Sequence, residues 1–184
     1  MTKMNSPYVL KIHQLLSQRI DALKIQVKEL KEKLDDRNYR QHPLVKFAYR
    51  VRHAVEEIIP GNPDRPEYRL TGELRKYRRY KQGLQRYRLF FCFSNQPRII
   101  LYLYLNDEKN LRKEDDKNDP YEVFKKFIKQ GIFSHDPENQ EIQKWISEYH
   151  WTAKWIIELC TAQGSSLSSR DIDDLKVLWC YKSQ

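Results

Sequence analysis

Two runs of alternating residues on either side of one short turn sequence constrain this chain more than any other feature. In the first run, residues 85–94, every second residue is aromatic or apolar, and the residues between them include Arg86 and Arg88. Because successive side chains of a strand point to opposite faces, these two arginines share one face. The second run, residues 97–106, repeats the plan, and Asn95-Gln96-Pro97 between the runs is typical of a hairpin turn. The sequence predicts an antiparallel hairpin with one apolar face and one cationic face.

The same alternation assigns every residue of the hairpin to a face. On the predicted apolar face lie Tyr87, Leu89, Phe91, Phe93, Ile99, Leu101, Leu103 and Leu105. On the predicted polar face lie Arg86, Arg88, Phe90, Cys92, Arg98, Ile100, Tyr102, Tyr104 and Asn106.

Helical periodicity dominates the sequence before the hairpin. Ser6-Pro7 supplies an N-cap residue and a first-turn proline, so a first helix is expected from there to Leu34. A second helix is expected from about Pro43 to Ile59, before the stop signal Pro60-Gly61. The apolar stripe of the first helix favours packing on its own domain, and a coiled-coil dimer is the alternative.

Short strands and a closing helix complete the predicted domain. Residues 68–70 and 74–80 are expected to add strands to the hairpin, and Asp119-Pro120 is expected to start a helix that covers the leucine-rich sheet face and ends at Gly131. The fold class is α+β, with two N-terminal helices, a three- to four-stranded antiparallel sheet and a closing helix. Residues 1–136 form the predicted domain, and residues 137–184, which hold all four tryptophans, form a helical extension.

Charge indicates a polyanionic partner. The chain has 34 Lys and Arg against 25 Asp and Glu, a net charge of +9. Residues 65–88 carry nine basic and two acidic residues, which is most of this excess. The three cysteines are odd in number and lack metal-ligand spacing, and no apolar run is long enough for a membrane span. A cytoplasmic protein in a reducing environment is therefore expected.

The basic residues suit one chemistry in particular. Cleavage of RNA without a metal needs a base, an acid for the leaving oxygen, and cations for the charge on the phosphorane. Arg86 and Arg88, with Lys81, Arg79 and Tyr77 on a neighbouring strand, are expected to form a cationic floor that binds phosphate. Tyr102 and Tyr104 are expected to stack on unpaired bases. A solvated sheet face that only maintains solubility is the alternative.

The carboxylates do not favour a metal-dependent nuclease. Asp107, Glu108, Asp115 and Asp116 lie in one loop-like stretch rather than converging from separate elements. Asp107 and Arg112 are instead candidates for the rim of the cationic floor. No motif for a serine or cysteine nucleophile is present.

Five segments occur in an order and spacing that resemble the YhaV family of bacterial toxins, which belongs to the RelE-like ribonuclease toxins. They are Arg86-Tyr87-Arg88-Leu89-Phe90-Phe91, Arg98-Ile99-Ile100-Leu101, Leu105-Asn106-Asp107-Glu108, Asn110-Leu111-Arg112 and Tyr121-Glu122-Val123-Phe124. The resemblance covers residues 62–133 well and the preceding helices more loosely. It implies a type II toxin that acts as a metal-independent RNA endonuclease without a cofactor. Its implied partners are RNA, an AbrB-type swapped-hairpin antitoxin similar to PrlF, and as a further candidate the ribosome.

The resemblance also carries family function onto six positions, namely Arg86, Arg88, Asn106, Asp107, Arg112 and Tyr121. The working hypothesis is that Arg86 and Arg88 stabilise the phosphorane, that Arg112 or Lys81 neutralises the leaving oxygen, and that Tyr121 stacks on or donates to the substrate. The candidate RNA-binding residues are Arg79, Tyr77, Arg98, Tyr102, Tyr104, Asn106, Asp107 and Lys125.

Two other classes of function remain open at this point. A basic sheet that bears tyrosines binds nucleic acid whether or not it cuts it, so a non-catalytic RNA- or DNA-binding module is one alternative. The other is an interaction protein in which the long helix and the tryptophan-rich tail assemble a complex.

Overall fold

A computed structural model describes residues 8–133, which form an α+β fold around an open four-stranded sheet. The strands are β1 (Val9–Ile12), β2 (Arg78–Tyr80), β3 (Leu89–Asn95) and β4 (Arg98–Leu105), in the spatial order β1-β4-β3-β2. The helices are α1 (Gln14–Lys33), α2 (Asp36–Gln41), α3 (Pro43–His53), α4 (Ile59–Gly61) and α5 (Pro120–Lys129). The extension predicted for residues 137–184 lies outside the described residues.

The first strand corrects the prediction for the N-terminal part of the chain. Residues expected to be helical instead form β1, which pairs in parallel with β4 from Val9 opposite Ile99 to Ile12 opposite Tyr102. Helix α1 begins only at Gln14, capped by His13, whose Nδ1 accepts the N–H of Leu15 at 3.2 Å. Docking of this short segment buries Ile12 against the sheet, and that tertiary contact outweighs the local capping signal. The sheet is therefore mixed, and only β2, β3 and β4 are antiparallel as predicted.

The predicted hairpin is confirmed, but a β-bulge changes its faces. The β3–β4 register runs from Asn95 opposite Arg98 and shifts between Phe90 and Phe91. Phe91 pairs with Tyr102 and Phe90 with Tyr104, so Leu103 is the extra residue. Leu103 and Tyr104 consequently lie on one side of the sheet and Leu105 on the other, which breaks the alternation along β4. The predicted faces are also wrong before the bulge, because Leu101 lies on the side of Cys92 rather than on that of Phe91.

Both faces of the hairpin are buried, so the prediction of one open cationic face is wrong. On one side α1 and α3 cover Leu89, Phe91, Ile100, Tyr102 and Leu105. On the other side α5 covers Phe90, Cys92, Leu101, Leu103 and Tyr104, so its predicted cover is confirmed for Leu101 and Leu103 but not for Leu89 and Leu105. The centroids of the stacked rings of Phe124 on α5 and Phe90 on β3 are 4.2 Å apart. Burial of these large apolar surfaces determines where α5 lies.

Helix α2 lies between the two predicted N-terminal helices, where no helix was expected, and the other elements differ from the predictions in extent. The helix predicted from about Pro43 to Ile59 is confirmed as one continuous rod, in which α3 leads through a π-helical turn, Ala54–Ile58, into α4. The strand predicted at residues 68–70 is reduced to one bridge between Arg69 and Arg78. Leu16, Ile20 and Leu23 of α1 lie in the core, which agrees with packing on the same domain. Within residues 8–133 no helix is long and apolar enough to cross a membrane.

Candidate active site

The segment between β2 and β3, residues 81–88, is a loop that carries Lys81, Arg86 and Arg88, and we call it the basic loop. Arg86 and Arg88 were expected on a strand, but β3 begins only at Leu89. Two tight turns fold the loop, with backbone hydrogen bonds from Leu84 to Lys81 and from Tyr87 to Leu84. The Leu84 side chain is buried in the core and anchors the loop on the sheet. The two arginines are therefore presented from the end of the sheet.

Asn106, which follows β4 directly, joins the basic loop to the next loop of the chain. Its side chain is fully buried, and its Oδ1 accepts the backbone N–H of Arg88 at 2.5 Å. Its Nδ2 donates to the carbonyls of Asn110 at 2.7 Å and Arg86 at 3.4 Å. The sequence-predicted position is thus brought to the site, where it acts as an internal brace.

Arg86 and Arg112 form a second connection between the same two loops. The backbone N–H of Arg112 donates to the Arg86 carbonyl at 3.0 Å. In return, the Nε of Arg86 donates to the Arg112 carbonyl at 3.1 Å. Arg86, Arg88 and Arg112, which are up to 26 residues apart in sequence, are held in one unit by these bonds.

Tyr121 in the first turn of α5 lies beside this unit. The guanidinium carbon of Arg112 is 5.4 Å from the centroid of the Tyr121 ring, and that of Arg79 on β2 is 6.0 Å from it. Burial lowers the pKa of Arg79, and the neighbouring charges of Arg88 and Arg112 lower it further. We call Arg79, Arg86, Arg88 and Arg112 the arginine cluster. Arg79 and Arg112 contact the Tyr121 ring, whereas Arg86 and Arg88 join the cluster through Arg112 and Arg79.

Arg112 is the one member of the arginine cluster whose charge is compensated by carboxylates of residues 8–133. Asp64 pairs with Arg78 at 2.7 Å and with Arg69 at 2.9 Å, so these two cations are locally balanced. Arg112 pairs with Asp119 at 2.6 Å and with Glu114 at 3.1 Å. Within the described residues no ion pair is formed by Arg79, Arg86, Arg88 or Lys81. The cluster therefore carries uncompensated positive charge, which attracts a polyanion.

The tyrosines expected to stack on bases do not lie in the site. Tyr77 and Tyr102 are fully buried, and Tyr104 is only 9% exposed. The Tyr104 ring stacks on Phe90 and Phe124 in the core between the sheet and α5. Burial raises the pKa of all three phenols. These rings belong to the core, and Tyr121 is the tyrosine that reaches the cluster.

Arg98 also lies elsewhere. It begins β4 opposite Asn95, at the turn end of the hairpin, whereas Asn106 follows the other end of the strand. Eight strand residues separate the two ends, a length of roughly 25 Å. Arg98 is therefore not part of the arginine cluster.

Asp107 and Lys125 lie near the cluster and are engaged by neighbours. Oδ1 of Asp107 accepts the N–H of Lys109 at 2.9 Å and a side-chain N–H of Asn110 at 3.0 Å, so this carboxylate stabilises its own turn. Lys125 lies one helical turn after Tyr121 and pairs with Glu122 at 2.8 Å, which raises the Lys125 pKa.

Asp119 is the site residue whose role sequence reasoning missed. The Asp-Pro signal correctly predicted it as the N-cap of α5, and its Oδ1 accepts the Tyr121 N–H at 3.0 Å. The carboxylate is almost completely buried and also binds Arg112. No sequence pattern marks this ion pair, because it depends on how the intervening loop folds back. Among residues 8–133, no three His, Cys, Asp or Glu side chains are grouped to hold a metal ion.

Two guanidinium groups against a tyrosine, with two more arginines on the adjoining basic loop, define a basic protein whose site suits the phosphate groups of a polyanion. A family model described as a toxin with endonuclease activity, of a toxin–antitoxin system, matches residues 10–143. The chain belongs to this family, the YhaV toxins, and the resemblance seen in the sequence is confirmed.

Three curated proteins of Escherichia coli support this membership. They are the ribonuclease toxin YhaV of strain K12 and the toxins YhaV of O157:H7 and O6:H1. Each is 35% identical to this chain over 139 residues, which cover 73% of this chain and 88% of the relative. No solved structure matches the chain significantly.

Proposed function

We propose that this YhaV-family toxin cleaves RNA without a metal ion, using the arginine cluster to stabilise the transition state. The family is one of endonuclease toxins, and the K12 relative is named a ribonuclease. One observation carries the proposal: Arg79, Arg86 and Arg88 form no ion pair within residues 8–133, and they lie in one region with Arg112, where Arg79 and Arg112 contact Tyr121, Arg88 is close enough to lower the pKa of Arg79, and Arg86 bonds to the Arg112 backbone. Such a group of fixed cations suits a reaction in which negative charge builds up on phosphorus.

In the proposed reaction the ribose 2′-oxygen attacks the adjacent phosphorus. A bond forms between the 2′-oxygen and phosphorus, and the bond from phosphorus to the 5′-oxygen breaks. The 2′-hydroxyl proton is transferred to a base, and the leaving 5′-oxygen receives a proton. The products carry a 2′,3′-cyclic phosphate and a 5′-hydroxyl. No metal is required, provided that cations stabilise the phosphorane.

The geometry suggests how the cluster divides this work. Arg86 and Arg88 stabilise the phosphorane, joined by Arg79, which lies close enough to Arg88 for their charges to interact. Arg112 or Lys81 neutralises the leaving oxygen. Tyr121 stacks on or donates to the substrate, because its ring lies within about 6 Å of two of the guanidinium groups.

The family also suggests the partners. A toxin–antitoxin system supplies an antitoxin, which we propose to be a small DNA-binding protein of the AbrB swapped-hairpin type. The substrate is single-stranded RNA, since unpaired bases expose the faces on which Tyr121 can stack.

The test is cleavage of a defined single-stranded RNA by the purified protein in EDTA. The Arg86→Ala, Arg88→Ala double variant should cleave at least about a hundredfold more slowly, because each lost transition-state cation has a cost of that order. The control is the Arg37→Ala, Arg40→Ala variant on α2, which removes the same charge and should cleave like the parent. Cleavage by the cluster variant within a few-fold of the parent would contradict the proposal.

Two further outcomes separate the alternatives. RNA binding without cleavage, by the parent as well, would indicate a non-catalytic nucleic-acid-binding module. Cleavage that appears only when translating ribosomes are added would place the site on ribosome-bound RNA.

A further inference from the structure

We infer that Asp119 is a positioning residue of this site, which holds Arg112 and Tyr121 in the arrangement that RNA cleavage requires. The inference rests on the proposed function, in which both of those residues act on the RNA. The observation behind it is that one oxygen of the Asp119 carboxylate binds the first turn of α5, while the other oxygen binds the guanidinium group of Arg112.

The hydrogen bonds of Asp119 exceed what a helix cap needs. Oδ1 accepts the N–H of Tyr121 at 3.0 Å, which is the N-cap interaction. Oδ2 accepts Nη1 of Arg112 at 2.6 Å and the backbone N–H of Lys113 at 2.9 Å. One carboxylate thus fixes a helix start, a loop backbone and a guanidinium group at the same time.

Burial makes the contact with Arg112 specific. The Asp119 side chain is 5% exposed, and a buried carboxylate is costly unless it is paired and hydrogen-bonded. Arg112 is its ion-pair partner within the described residues. The short distance indicates a charge-assisted hydrogen bond, which also orients the planar guanidinium group.

The two ends of the Arg112 guanidinium are in different surroundings. Nη1 is fixed by buried Asp119, whereas Nη2 pairs at 3.1 Å with Glu114, whose side chain is 84% exposed. A phosphate of the RNA can displace Glu114 and leave the contact with Asp119 intact. The inner end of Arg112 therefore sets its position, and the outer end is available to the substrate.

Loss of the Asp119 charge should affect turnover. An arginine side chain released from its inner partner populates several rotamers, and a displacement of the reacting groups by about 1 Å can lower a rate about a hundredfold. Asp119→Asn keeps the size of the side chain and a good N-cap while removing the charge. We expect it to lower kcat about ten- to a hundredfold.

The experiment is a double-mutant cycle on kcat and KM for the single-stranded RNA in EDTA. It compares the parent with Asp119→Asn, Arg112→Gln and the combination of both. If Asp119 acts through Arg112, the combined variant should turn over no more slowly than Arg112→Gln alone. The control is Asp116→Asn, a carboxylate of the same loop that pairs with Lys113 at 3.1 Å, and it should retain the kcat of the parent.

Three results would overturn the inference. They are a parental kcat in Asp119→Asn, a further multiplicative loss when Asp119→Asn is added to Arg112→Gln, and loss of the folded protein in both Asp119→Asn and Asp119→Ser. The last result would show that the buried Asp119 charge is required for folding rather than for positioning, since asparagine and serine both retain a capping oxygen. Failure of the parent to cleave RNA would instead contradict the proposed function, so the two failures are distinguishable.

Discussion

The phenol of Tyr102 donates a hydrogen bond of 2.6 Å to the backbone carbonyl of Val55. Val55 lies in the π-helical turn, where the N–H of Ile59 bonds to the carbonyl of Ala54, five residues earlier. If this pattern continued, the Val55 carbonyl would accept the backbone N–H of residue 60. Residue 60 is a proline, which has no backbone N–H. Tyr102 therefore satisfies a buried carbonyl that the helix cannot satisfy, and its role is in the core.

Tyr102→Phe should lower the free energy of unfolding by about 1–3 kcal/mol, because it leaves the Val55 carbonyl buried without a donor. Urea denaturation measures this change. RNA cleavage at a temperature where the variant is folded should keep the kcat and KM of the parent. Unchanged stability in Tyr102→Phe would contradict this structural role of the Tyr102 hydroxyl.

Tyr87→Phe is the matched control for that experiment. The Tyr87 hydroxyl donates to the exposed carboxylate of Glu108 at 3.2 Å, where water can replace the lost hydrogen bond. Its removal should change the free energy of unfolding by no more than about 0.5 kcal/mol.

Asn106→Ala should weaken both the fold and the site. The substitution removes a buried acceptor from Arg88 and a buried donor from Asn110, and it frees the basic loop. We expect a loss of about 1–3 kcal/mol in the free energy of unfolding. At a temperature where the variant is folded, kcat for RNA cleavage should fall at least about tenfold because Arg88 is no longer fixed.

The comparison for this variant is Asn118→Ala, an exposed asparagine of the loop before α5. It should resemble the parent in both measurements. An Asn106→Ala protein that is less stable but cleaves RNA at the parental rate would show that the brace serves folding alone.

The elements that the sequence predicts well are those with strong local signals. The β3–β4 hairpin has strict alternation and a turn, and α5 has an Asp-Pro cap and an apolar stripe. Strand β1 has neither, and its parallel pairing depends on contacts with a strand about 90 residues later in the chain. The bulge at Phe90 and Phe91 is equally unmarked, because no glycine or turn residue accompanies it.

The site divides in the same way. Of the motif positions, Arg86 is bonded to Arg112, and Arg112 contacts Tyr121, while their roles in cleavage stay predictions. Arg98 lies at the opposite end of the hairpin from these residues. The sequence was sufficient to predict this separation, because the predicted turn places Arg98 opposite Asn95. The sequence could not predict the burial of Tyr77 and Tyr102, because that burial depends on which helices cover each face of the sheet.

Binding of RNA should depend on salt through the arginine cluster. Each phosphate contact on single-stranded nucleic acid contributes about 0.7 to the slope of log K against log salt concentration. The Arg86→Ala, Arg88→Ala variant should therefore show a slope smaller in magnitude by about one to two, measured by fluorescence anisotropy with an uncleavable 2′-deoxy oligonucleotide. The Arg37→Ala, Arg40→Ala variant should keep the parental slope. Equal slopes in all three proteins would place the phosphate contacts elsewhere.

Stability should fall between about pH 6.5 and pH 4 because of His13. Burial lowers the pKa of His13 from 6.5 to about 4, and a hydrogen bond to the backbone of Ile132 opposes this shift only in part. In this window the unfolded chain binds a proton at His13 that the folded protein excludes, so acid favours unfolding.

The expected slope is about 1 kcal/mol per pH unit between pH 6 and pH 5, and stability should level off above pH 7. His13→Asn keeps an N-cap for α1 without a group that titrates there, so its unfolding free energy should vary less over the same range. Urea denaturation of both proteins at pH 7, 6 and 5 measures the difference. Carboxyl groups whose pKa is lowered, such as Asp64, add their pH dependence mainly below this range. Parallel pH profiles for parent and variant would show that His13 is not the titrating group.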